Sequence, residues 1–217
     1  MLVVFDLDGT LVDSRQDLAD STNAVLESYG AAPLPLDRVI RMVGDGARML
    51  VQRALAEAQV AADLDDALER FHASYAPRLL ATTKPYPGID EMLVDLGTRA
   101  TMAVLTNKPL KPSLRMVEAL GWTQHFVRVI GGDGPFPRKP DPAGLLALVD
   151  QAGASPEQTM MVGDSMADVE VARRAGTAVC VAQYGFGNAR GDMSLRGDES
   201  LARTSIALLP AINTWLT

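Results

Sequence analysis

Four short segments of this chain place a carboxylate, a hydroxyl or an ammonium directly after, or just beyond, a run of apolar residues. The first is Asp6-Leu7-Asp8-Gly9-Thr10, following Val3-Val4-Phe5. Two carboxylates two residues apart on extended chain point to the same side. One can attack an electrophile while its neighbour handles protons, and both can lie near one cation. Gly9 lets the backbone turn tightly past a bound anion. Asp-x-Asp also opens a calcium-binding EF-hand loop, but that loop requires glycine sixth and glutamate twelfth. Leu11 and Asp17 stand there instead, and the preceding segment reads as a strand.

The second segment is Thr106-Asn107-Lys108-Pro109 after Met102–Leu105, where a hydroxyl and free backbone N–H groups suit a phosphate oxygen. The same residues also make an ordinary turn or helix cap. The third, Arg138-Lys139-Pro140-Asp141-Pro142, holds Lys139 before a proline and a helix start, so its ammonium can be aimed at a phosphoryl oxygen. The fourth is Gly163-Asp164-Ser165-Met166-Ala167-Asp168 after Thr159–Val162. Asp164 can ligate a metal, or cap a helix together with Ser165. Asp168, one helical turn on, can orient Lys139 or a metal-bound water.

These groups need a scaffold that brings strand ends together. Short apolar runs at 2–5, 101–106, 127–131, 159–163 and 178–182 lack strict alternation, which suits strands buried on both faces of a parallel sheet. Helical patterns separate them, such as Ser113–Leu120 and Pro142–Ala152, the latter with Asp141 as N-cap and Gly153 as its stop. The expectation is an open α/β sheet with ligands bound at the carboxyl ends of its strands. Between Ser14 and about Thr83 the pattern is helical, with breaks at Gly30–Pro35, Val43–Gly46 and Val60–Asp65. The predicted division is a core of residues 1–14 and 83–217 around an all-helical insertion, 15–82. Ser205–Thr217 reads as a terminal helix with Pro210 starting or kinking it, with room for a short edge strand before it.

Bulk properties narrow the function. A net charge of −7 argues against nucleic acid, whose recognition needs a basic face. No apolar run approaches the roughly 20 residues that cross a bilayer. Cys180, the one cysteine, sits in an apolar run where a buried inert thiol is expected, consistent with a cytoplasmic protein. His72 and His125 are too few and too isolated for a histidine-based metal site or triad.

The order Asp-x-Asp-Gly-Thr, Thr, Lys-Pro, Gly-Asp-Ser-x-x-Asp resembles the haloacid dehalogenase superfamily over essentially the whole chain. The resemblance implies Asp6 as nucleophile forming an aspartyl phosphate, and Asp8 as general acid and base. It implies Mg²⁺ held by Asp6, the backbone carbonyl of Asp8, and Asp164. Thr106, Asn107 and Lys139 would bind phosphate, supported by Gly9, Thr10, Ser165 and Asp168, with the insertion as a cap that selects substrates. Asp8 sets the chain apart from the dehalogenases, and the absence of lysine between residues 14 and 83 from the Schiff-base phosphonate-cleaving branch. Thr10 sets it apart from the sugar-phosphate mutases.

Within the phosphatases, Val43-Gly44-Asp45-Gly46-Ala47, Leu105–Pro109 and Gly131-Gly132-Asp133 resemble phosphoglycolate phosphatases, with Tyr184-Gly185-Phe186-Gly187 a looser match. Gly44 and Arg48 are the candidates for a substrate carboxylate. The expected partner is a small phosphorylated metabolite: 2-phosphoglycolate or, alternatively, pyrophosphate, a sugar phosphate or an amino-sugar phosphate. The expected assembly is a monomer or homodimer. A catalytically silent binding protein of this family would ordinarily have lost one of Asp6, Asp8, Lys139 and Asp164.

Overall fold

The computed structural model describes residues 1–191 and 193–217. Six parallel strands form one sheet in the order β5-β4-β1-β6-β7-β8. They are β1 (Leu2–Phe5), β4 (Thr101–Leu105), β5 (Val129–Ile130), β6 (Thr159–Gly163), β7 (Ala178–Ala182) and β8 (Ser200–Ala202). Consecutive residues of β1 serve different cores: Val3 and Phe5 pack into one apolar cluster, Leu2 and Val4 into another. A strand buried on both faces needs apolar residues at every position, which is why these runs do not alternate.

The helices α5 (Ile89–Leu96), α6 (Leu110–Ala119), α7 (Ala143–Gln151), α8 (Met166–Ala175) and α9 (Leu208–Leu216) belong to this unit. Asp141 accepts from the Ala143 N–H at the start of α7, and Gly153 follows its end at φ 62°. Pro210 lies in the first turn of α9, where a missing N–H costs nothing. The short edge strand before α9 is β8.

Between β1 and β4 the chain forms α1 (Arg15–Ser28), α2 (Leu36–Ile40), α3 (Ala47–Glu57) and α4 (Leu64–Arg78). Where it leaves and returns, β2 (Val12–Asp13) pairs antiparallel with β3 (Lys84–Pro85). Two-residue strands carry no period to read, so this small ribbon had no sequence signal. Beside it the buried Asp17 of α1 accepts from the N–H groups of Thr82 and Thr83 at 3.0 and 2.9 Å, and from both hydroxyls. One carboxylate thereby ties the outgoing and returning segments together.

Candidate active site

β1 lies between β4 and β6, and the register aligns Phe5 with both Val104 and Val162. Asp6, Thr106 and Asp164 therefore emerge side by side at the carboxyl edge, where the chain's neighbours diverge. Lys139 approaches from the loop before α7. Its Nζ stands 3.1 Å from Asp6 and 2.6 Å from Asp168, almost wholly buried. Asp168 also accepts from the Ser165 N–H and hydroxyl at the start of α8, at 3.0 and 2.6 Å. It thus caps a helix and orients the lysine at once.

Asp6 Oδ1 accepts from the Leu7 N–H at 2.8 Å, and the Thr106 hydroxyl also supports this carboxylate. Asp164 accepts from the Gly187 N–H at 2.7 Å and, at 3.5 Å, from the Thr10 hydroxyl. Tyr184 donates to the Thr10 carbonyl at 2.6 Å, so the segment 184–187 buttresses the acidic end of the cleft. Space there is minimal. A Cβ at Gly9 would lie 2.0 Å from Asp164 Oδ2, and one at Gly185 would lie 2.3 Å from the Gly9 carbonyl oxygen.

Oxygens of Asp6, Asp164 and Asp168 can lie within 4.8 Å of one another. Burial pushes Asp6 up to about 6, opposed by Lys139 and reinforced by Asp168. Burial, with Asp168 and Asp6 beside it, holds Asp164 well above the usual carboxylate range. Burial alone would lower Lys139, but Asp168 and Asp6 outweigh it and keep the ammonium charged. When all three are ionised, the carboxylates facing one ammonium leave two negative charges without compensation. Oxygen donors alone, with that deficit, fit a hard divalent cation such as Mg²⁺.

Asp8 points elsewhere. Its carboxylate takes the Ser14 hydroxyl at 2.6 Å and Lys108 Nζ at 2.9 Å, so Asp168, not the Asp8 side chain, completes the acidic cluster. Lys108 is buried and also contacts the Tyr75 hydroxyl on α4. Burial raises that phenol to about 12. Burial would discharge Lys108, but Asp8 and Tyr75 hold it protonated.

Two of the expected residues sit differently from the rest. Asn107 lines the cleft, and its Nδ2 donates to the carbonyls of Gly44 and Lys139 at 2.9 and 3.1 Å. It joins the 43–46 loop to the lysine's own backbone. Arg48 is turned away, paired with Asp65 on an exposed helix face and not lining the cleft. Gly44 does line it. Sequence reasoning missed Lys108, Tyr75, Ser14 and the Gly187 N–H. Lys108 lies within the segment Thr106–Pro109, and the concentration of four lysines between residues 84 and 139 was the available hint. Cys180 lies in β7, with burial pushing its thiol up to about 12, so it is unreactive.

Residues 3–182 match the model of the haloacid dehalogenase-like hydrolases. A phosphoglycolate phosphatase of Rhodospirillum rubrum is 45% identical over 192 residues, covering 85% of this chain and 80% of that protein. One of Agrobacterium fabrum is 38% identical over 189 residues, covering 85% and 81%. The crystal structure of a predicted phosphoglycolate phosphatase from Haemophilus somnus superposes with a TM-score of 0.88 at 29% identity, covering 97% of each chain. With its carboxylates, lysine and parallel sheet arranged as above, this chain belongs to the haloacid dehalogenase-like hydrolase family.

Proposed function

We propose that the protein is a Mg²⁺-dependent phosphatase that hydrolyses 2-phosphoglycolate through an aspartyl phosphate on Asp6. The observation that carries this reading is Asp6 itself. One of its oxygens is pinned by the Leu7 N–H, and the other lies 3.1 Å from an ammonium that Asp168 holds in place. Phosphate monoesters are among the slowest esters to hydrolyse unaided, so the catalyst must supply on the order of 20 kcal/mol. A fixed nucleophile beside a fixed cation supplies positioning and charge stabilisation together.

Asp6 attacks phosphorus while the ester P–O bond breaks, and the leaving oxygen takes its proton from Asp8. Asp8, now a carboxylate, removes a proton from water. That water attacks the phosphorus of the acyl phosphate, the P–O bond to Asp6 breaks, and phosphate departs. Lys139 and Thr106 face the transferring group throughout. Asp6, the Asp8 carbonyl and Asp164 would hold Mg²⁺, with Asp168 beside them. When bound, the ion neutralises charge on the phosphoryl oxygens and reduces their repulsion of the attacking carboxylate.

Residues 15–82 act as a cap over a core of 1–14 and 83–217. Val43, Leu50 and Phe71 of the insertion line the same cleft as Asp6 and Asp8, so closure removes water from the reacting groups. The relatives described above are named for this activity, which supports the choice of substrate. The test is phosphate release from 2-phosphoglycolate, glucose 6-phosphate, an amino-sugar phosphate and pyrophosphate, each with and without Mg²⁺. Metal-dependent turnover led by 2-phosphoglycolate is expected; preference for a bulky sugar phosphate would overturn the substrate, and metal-independent turnover the mechanism.

A further inference from the structure

The cleft shared by the insertion and the core is walled on the leaving-group side by Leu18, Leu50, Phe71, Pro109 and Pro112. Among the described residues Lys108 is the one lysine or arginine that lines it. Its side chain is 5% exposed, and it touches Asp8 on the core side and the Tyr75 hydroxyl on the insertion side. Tyr75 is itself held by stacking on Phe71, with ring centroids 5.5 Å apart. An ammonium in an apolar wall, fixed from two sides, has been desolvated in advance, and an anion reaching it forms a strong charge-assisted bond.

Position makes this cation selective. Asp8 serves the ester oxygen of the leaving group, and Lys108 Nζ is 2.9 Å from Asp8. Atoms two or three bonds beyond that oxygen therefore lie within reach of Lys108. Arg48, the other candidate from sequence, is occupied outside the cleft by Asp65.

We infer that Lys108 and Tyr75 together form the specificity site for a leaving group carrying a carboxylate beside its ester oxygen. The carboxylate takes Lys108 and the Tyr75 hydroxyl, and Asp8, relieved of its lysine, takes up a proton from solvent and turns that O–H to the ester oxygen. Recognition draws one group from each side of the cleft, so the substrate's own charge joins insertion to core. This assignment rests on the phosphoglycolate reading and adds the residues that impose it.

The test compares kcat/KM for 2-phosphoglycolate with that for ethyl phosphate, in which a methyl group replaces the carboxylate. The ratio cancels any loss of folded protein. Wild type is expected to favour 2-phosphoglycolate. Lys108→Met should lower the ratio by about 100-fold, the scale of losing one partner of a buried ion pair. Tyr75→Phe should lower it by about 10-fold, the scale of one hydrogen bond to a charged group. A wild-type preference that both variants keep overturns this assignment and leaves the substrate reading intact. A wild type indifferent to the carboxylate overturns the substrate reading, and the assignment with it.

Discussion

Arg190 and Asp45 are joined across the seam between core and insertion, Nη2 to carboxylate at 2.9 Å. The same guanidinium donates to the Val43 carbonyl, while Asn107 holds the Gly44 carbonyl. Three consecutive residues of the 43–46 loop are therefore fastened to the core, and Arg53 keeps Asp45 paired from within the insertion at 2.5 Å. Arg190→Gln removes the guanidinium's cross-seam bonds, leaves the Asn107 bond to Gly44 in place and keeps Asp45 paired with Arg53. A partly buried charged hydrogen bond contributes about 1.5 kcal/mol, roughly a tenfold shift in a closing equilibrium. The expected result is a several-fold rise in KM with little change in melting temperature, measured by steady-state kinetics and calorimetry.

On the proposed mechanism, protons and Mg²⁺ compete for the acidic cluster. Asp6, at about 6 against an ordinary 3.8, and Asp164, also held well above the usual carboxylate range by burial, take up protons on folding without metal. A raised carboxylate weakens the fold progressively as pH rises from its unfolded value through its folded one, and the penalty is complete above that. Mg²⁺ binding requires these groups ionised and offsets the penalty. The expected outcome is a larger Mg²⁺-induced rise in melting temperature at pH 8 than at pH 5, with proton release on titration near pH 6. Equal thermal shifts at both values would contradict this assignment of the ion's ligands.

Asp6→Asn and Asp168→Asn should separate activity from stability. The first removes the proposed nucleophile and a buried charge together, while Lys139 keeps Asp168. Turnover should fall by at least about 10³-fold with no loss of metal-free stability at pH 8. The second weakens both the cap of α8 and the support of Lys139. It should cost about 2 kcal/mol in urea denaturation as well as activity.

Asp17→Ala leaves the two N–H groups and two hydroxyls of Thr82 and Thr83 without their acceptor. We expect a loss of roughly 3 kcal/mol. Protease cleavage near 79–83 should quicken even where the remaining fold is intact.

The groups that adjoin apolar runs were readable because each announces a strand end locally: Asp6 after Val3–Phe5, Thr106 after Met102–Leu105, Asp164 after Thr159–Gly163. Lys108 was not, since Thr-Asn-Lys-Pro reads equally as a turn and its carboxylate partner lies 100 residues away. Tyr75 follows Phe71 at helical spacing and so looks like simple core. Arg48 shows the converse error: a position one turn past a glycine loop suggested the cleft, but Asp65 claims it from the next helix. Local pattern reveals which edge a residue occupies. Pairing across distant segments depends on how α4 settles against the sheet.

The crowding around Gly9 and Gly185 has an evolutionary corollary. Any side chain there would displace Asp164 or the backbone facing it, so variation at that end must cost the reaction itself. The opposite wall, built from Leu18, Leu50, Phe71 and Tyr75, can change size and charge without moving the nucleophile. New substrates should therefore be reached by diversifying α1, α3 and α4, and a mutant library confined to those helices is the economical route to altered selectivity.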